Sequence, residues 1–111
     1  MSTDSTKTPT VRIGEVNDKA IELYKAMREE LLTSGPLDRS TCEIIVTTGF
    51  AVLGYELSFK VHTRRLISMN VPKAAVQHAV LATMGATTVI FQTAQALRWI
   101  DEVYDDTDGP A

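Results

Sequence analysis

Four side chains in the middle of this sequence have the types and spacing that proton transfer needs: Glu43, Tyr55, Ser58 and His62. An imidazole titrates near neutral pH, so it can accept and return a proton, and a neighbouring carboxylate can fix its tautomer. Ser58 and His62 stand four residues apart, one turn of a helix, which permits a hydrogen bond. Each residue also has a purely structural use. Glu43 follows Ser40 at capping-box spacing, Tyr55 can pack its ring at a helix start, and His62 can be a hydrogen-bonded core residue. No G-x-S-x-G elbow supports a serine hydrolase. His62 and His78 are the only histidines, with Glu43 and Cys42 as possible companions, but no H-x-x-x-H or C-x-x-C places two ligands on one element. No metal site is predicted. P-loop and G-x-G-x-x-G patterns are absent as well.

The elements that must carry these residues read as helices. From Val16 to Leu32, apolar residues recur at spacings of three and four (Val16, Ala20, Leu23, Met27, Leu31), which predicts an amphipathic helix ending at Ser34-Gly35-Pro36. The segment from Asp38 to Gly54 contains the β-branched run Ile44 to Thr48. Its capping signal and its length still favour a helix over a strand. Tyr55 to Met69 predicts a third helix, with Tyr55, Ser58, Phe59, His62, Leu66 and Met69 on one face and Asn70 as its stop. Pro72 suits the first turn of a fourth helix reaching Met84, and Thr87 to Tyr104 predicts a fifth. The fold expected is an all-α domain of five to six helices over residues 15–104. Residues 1–14 read as a flexible arm and residues 105–111 as an acidic tail.

Composition narrows the setting. The chain has 111 residues, a net charge of −3, and 44% hydrophobic against 23% charged residues. These values suit one soluble domain and offer no basic footprint for nucleic acid or an anionic membrane. One cysteine excludes an intrachain disulfide and fits a reducing cytoplasm. The polar N-terminus has no secretory h-region. Residues 74–97 (AAVQHAVLATMGATTVIFQTAQAL) hold no charged side chain. The run is too polar to span a bilayer and too poor in charge to face water all round, which predicts a homo-oligomer.

The segment GPLDRSTCEIIVTTGFAVLGYELSFKVHTRRLISMNVPKAAVQHAVLATMGA resembles the carboxymuconolactone decarboxylase family, which includes the alkylhydroperoxidase AhpD-like branch. The likeness rests on Gly35-Pro36-Leu37-Asp38-Arg39 leading to Glu43, on the alanine-bearing helices, on His62, and on the turn Asn70-Val71-Pro72. It extends over roughly residues 15–104. It implies an all-helical fold assembled as a trimer or hexamer. The peroxidase branch places Glu, then Cys-x-x-Cys, then His on this scaffold. By that resemblance Tyr55 and Ser58 occupy the cysteine positions, Glu43 and His62 are kept, and His78 stands where many members have an acidic residue. A disulfide cycle needs thiolates, so thiol peroxidase activity is not expected here.

What the resemblance implies is a cytoplasmic, cofactor-independent lyase or isomerase acting on a small organic substrate. Glu43 and His62 would be catalytic, and Tyr55, Ser58 and His78 would bind the substrate. No metal, organic cofactor, nucleic acid or membrane partner is expected. The alternative is a non-catalytic oligomeric binding or accessory subunit on the same fold.

Overall fold

A computed structural model describes residues 7–107. These form six helices: α1 (Pro9–Gly14), α2 (Asp18–Thr33), α3 (Arg39–Leu53), α4 (Glu56–Ser68), α5 (Lys73–Thr83) and α6 (Ile90–Thr107). The protein is all-α. The chain groups into two compact units, residues 1–39 and 40–111. The second carries every candidate site residue.

In the first unit, α1 takes up Pro9–Gly14, part of the segment read from sequence as an arm; residues 1–6 of that arm lie outside the described residues. Pro9 opens α1 where its missing N–H costs nothing. The start of α2 lies two residues later than periodicity alone places it. The reason is Asn17, whose side chain accepts from the Ala20 N–H at 3.0 Å and caps the helix. Of α2, Ile21 and Leu32 are buried, whereas Leu23, Tyr24, Met27 and Leu31 stay exposed, as does Val16 just before it. Arg39 grips both carboxylate oxygens of Glu29, at 3.0 and 3.1 Å, and ties the 34–38 turn back to α2.

In the second unit, α6 packs against both α4 and α5. Its buried residues Thr93, Ala96, Trp99, Ile100, Val103 and Tyr104 follow the three-and-four spacing of one helix face. Ala96, Trp99, Ile100 and Tyr104 among them share one core with Phe59 and Leu66 of α4, Val76 and Val80 of α5, and Ala51 of α3. Phe59 and Trp99 set their rings 5.5 Å apart at 53°, a tilted pair favoured by the ring quadrupoles. At the surface, two lysines clasp the outer edge of α6. Lys60 reaches Glu102 at 2.6 Å and Glu56 at 2.8 Å, while Lys73 reaches Asp101 at 3.0 Å and Asp105 at 3.3 Å. The bonds to Glu102 and then Glu56 raise the Lys60 ammonium above its ordinary pKa, and those to Asp101 and Asp105 do the same for Lys73.

Two reversals set the helix order. Gly54 has φ 75°, and around it the Tyr55 N–H reaches the Phe50 carbonyl at 3.1 Å. Asn70, with φ 63°, ends α4 in the same way, with the Val71 N–H on the Leu66 carbonyl at 3.0 Å. Both are left-handed C-terminal caps, natural for Gly and tolerated by Asn. Asn70 is the stop expected from sequence, and α4 ends two residues before it. Pro72 stands just ahead of α5 as its N-cap, and α6 begins at Ile90 after a turn over 84–89. The last helix also runs into the segment read as a tail, through Thr107, and residues 108–111 lie outside the described residues.

The Tyr104 hydroxyl donates to the Val71 carbonyl at 2.7 Å, pinning the α4–α5 turn to α6. Tyr104→Phe keeps the ring and removes that donor. It should cost about 1 kcal/mol, read as a lower urea midpoint with an unchanged slope. An unchanged midpoint would show that the bond carries no net stability.

Candidate active site

Helix α3 presents Glu43, Thr47 and Ala51 at successive intervals of four, and all three are buried. A carboxylate on that face is unusual, because burying a charge without a partner is costly. Glu43 is 1% exposed and its partner comes from α4: Oε1 contacts Nδ1 of His62. The Gly54 reversal makes this meeting possible. It folds α4 back after α3, so that Glu43 and His62 each lie roughly two to three turns from the corner. On α4, Phe59, Thr63 and Leu66 face the core, and His62 stands beside them half-buried. Through Oε1 the Glu43 carboxylate reaches out of its own helix. It pairs across helices.

With Glu43 ionised, its oxygen can only accept, and His62 is then the donor through Nδ1–H. The neutral ring then carries its lone pair on Nε2, away from the carboxylate, in position to take a proton. Phe50 covers the ring, with centroids 5.1 Å apart and planes 30° from parallel. Tyr55 extends this aromatic wall at 6.3 Å from Phe50, and it is 56% exposed. Phe50 was not singled out by sequence reasoning, although it lies seven residues after Glu43, two turns along the same helix face.

The other expected site residues stand as follows. Ser58 is half-buried one turn before His62. Tyr55 joins the site through Phe50. His78 stands on α5 with its side chain exposed, and neither ring contact nor hydrogen bond links it to Glu43 or His62. Cys42 is half-buried and in no disulfide. The buried hydroxyls of Thr47 and Thr63 each donate to a carbonyl four residues back, Glu43 and Phe59, both at 2.8 Å. Their protons are therefore committed to the backbone. Among the described residues, no group of three or more His, Cys, Asp and Glu side chains is placed to hold a metal ion. None of the described helices is long and apolar enough to cross a membrane.

No protein-family model, curated protein or solved structure matches the chain significantly. Removing His62 leaves Glu43 buried without its donor, so His62→Ala should cost about 3 kcal/mol at neutral pH. Adding Glu43→Leu to that variant should restore much of the loss, because no buried charge remains. Urea denaturation of the two single variants and the double variant measures the coupling, and additive losses would deny it.

Proposed function

We propose that this protein is a cofactor-independent acid–base enzyme resembling the carboxymuconolactone decarboxylases, acting on a small organic substrate by decarboxylation, isomerisation or cyclisation. The observation that carries this reading is the buried Glu43 carboxylate on Nδ1 of His62. Held so, the imidazole keeps one tautomer, and the carboxylate stabilises the imidazolium that forms when Nε2 takes a proton. In this account His62 is the base and then the acid, Glu43 orients it, and Phe50 excludes water from one side of the ring. Tyr55 and Ser58 supply hydroxyls for the substrate. His78 comes into the reading through the family resemblance alone.

The step is a proton removed from a carbon acid, or delivered to the carbanion that loss of carbon dioxide leaves. Either way the proton is exchanged with Nε2, and no electron leaves the substrate. Thiol peroxidase chemistry is no part of this account, since Tyr55 and Ser58 stand where a cysteine pair would be needed. We also propose that the working form is a homo-oligomer, a trimer or hexamer, in the cytoplasm.

Deuterium exchange tests the chemistry before any substrate is known. A panel of small keto acids, lactones and unsaturated acids is incubated with the protein in D2O, and loss of C–H signals is followed by proton NMR. His62→Ala should slow exchange about 10²–10⁴-fold, the usual worth of a general base. Glu43→Gln should slow it less, and Cys42→Ser should leave it near the wild-type rate. A His62→Ala protein that folds and exchanges like wild type would remove the proposed base. No exchange across the panel would favour the non-catalytic subunit instead.

A further inference from the structure

The uncharged run of residues 74–97 is covered in part by its own unit. Val76, Val80, Thr88, Thr93 and Ala96 are buried. What remains uncovered gathers where α5 ends and α6 begins: Leu81, Met84, Val89, Ile90 and Phe91, with Ile90 at 76% and Phe91 at 72% exposed. Residues 84–91 line one shallow, mostly apolar concavity.

This corner is built rather than slack. Thr88 lies between Thr83 and Thr93, with hydroxyl oxygens 2.9 Å apart on both sides, and the Thr83 hydroxyl donates to the Val80 carbonyl at 2.7 Å. Gly85, at φ 86°, lets its N–H reach the Thr88 carbonyl at 2.9 Å. Gln92 accepts from the Val89 N–H at 2.9 Å and donates to the Val52 carbonyl at 3.0 Å, fastening the start of α6 to the end of α3. A surface held in one shape loses little entropy when it is bound.

Size and charge decide the occupant. The five residues together expose roughly 600 Å², most of it apolar, toward the upper end for the largest patch on a monomer. Two such patches face to face would bury roughly 1,200 Å², where specific interfaces begin. With no charged residue from 74 to 97, two identical patches meet without repulsion and without burying an ion. The other exposed apolar stripe, on α2, is bordered by Glu22, Lys25 and Glu30, whose charges this neutral surface could not pair.

We propose that a second copy of this chain docks here about a twofold axis, with Ile90 and Phe91 of each copy packed on Met84 and Val89 of the other. The inference rests on the reading that the chain self-assembles, and it adds a constraint. A contact of a patch with itself is isologous, so it occurs in a dimer or in a hexamer of paired trimers and is absent from a threefold ring alone. The assembly therefore has an even number of copies.

Sedimentation of the full-length protein at micromolar concentration tests this. Wild type should show an even multiple of the chain mass. Phe91→Asp should weaken the twofold contact about 100-fold, the loss expected of a central aromatic anchor. That halves the mass, while Phe91→Leu keeps it. Ile90→Ser provides a milder variant should Phe91→Asp misfold. Hydrogen exchange of the wild type at high and low concentration should show added protection over 84–93 at high concentration. A monomeric wild type would overturn both the self-assembly reading and this contact. A trimer untouched by Phe91→Asp and Ile90→Ser would overturn this contact alone. So would a mass that falls only with Leu23→Asp, which would move the contact to α2.

Discussion

A carboxylate withdrawn from water requires a donor, and in this protein the requirement falls on Glu43 and is met by His62. The pair bridges α3 and α4 at a point where apolar side chains of equal volume would pack at no electrostatic cost. The architecture around it follows from that requirement. Gly54 must turn left-handed so that α4 returns past α3. Thr47 and Thr63 must satisfy their own hydroxyls on the backbone, and Phe50 must lie over the imidazole. The core of Phe59, Leu66, Trp99 and Ile100 then fixes the face of α4 from which His62 projects.

Much of this was legible in the sequence, for reasons that differ from residue to residue. The helices of the second unit follow from period and punctuation: Gly54, Asn70 and Pro72 each stand at a boundary because of their backbone preferences. The β-branched run at Ile44–Thr48 is helical despite its strand propensity, since length reflects the whole element whereas propensity is local. Asn17 sets the start of α2 through a side-chain bond that hydrophobic periodicity does not register. Pro9–Gly14, at six residues, is too short for periodicity to detect.

The site itself was half legible. Glu43 and His62 were singled out by residue type, but nothing in their spacing of nineteen residues says that they touch; that depends on the reversal at Gly54. Phe50 carries no chemistry, so it drew no notice, although its place two turns after Glu43 puts it on the same face. The uncharged run at 74–97 did signal a need for cover. In the structure only Val76, Val80, Thr88, Thr93 and Ala96 of the run are buried, and its large exposed apolar side chains gather at one corner, where α5 ends and α6 begins.

The proposed base requires that His62 donate from Nδ1 to an ionised Glu43 and keep Nε2 for a proton in transit. Nitrogen-15 NMR of histidine-labelled protein, taken above the pH at which the ring loses its charge, reads this directly. The expected result is a protonated Nδ1 and a bare Nε2 for His62, with that preference weakened in Glu43→Gln. A proton found on Nε2, with Nδ1 bare toward Glu43, would mean that the carboxyl is the donor, and His62 would lose its role as the base.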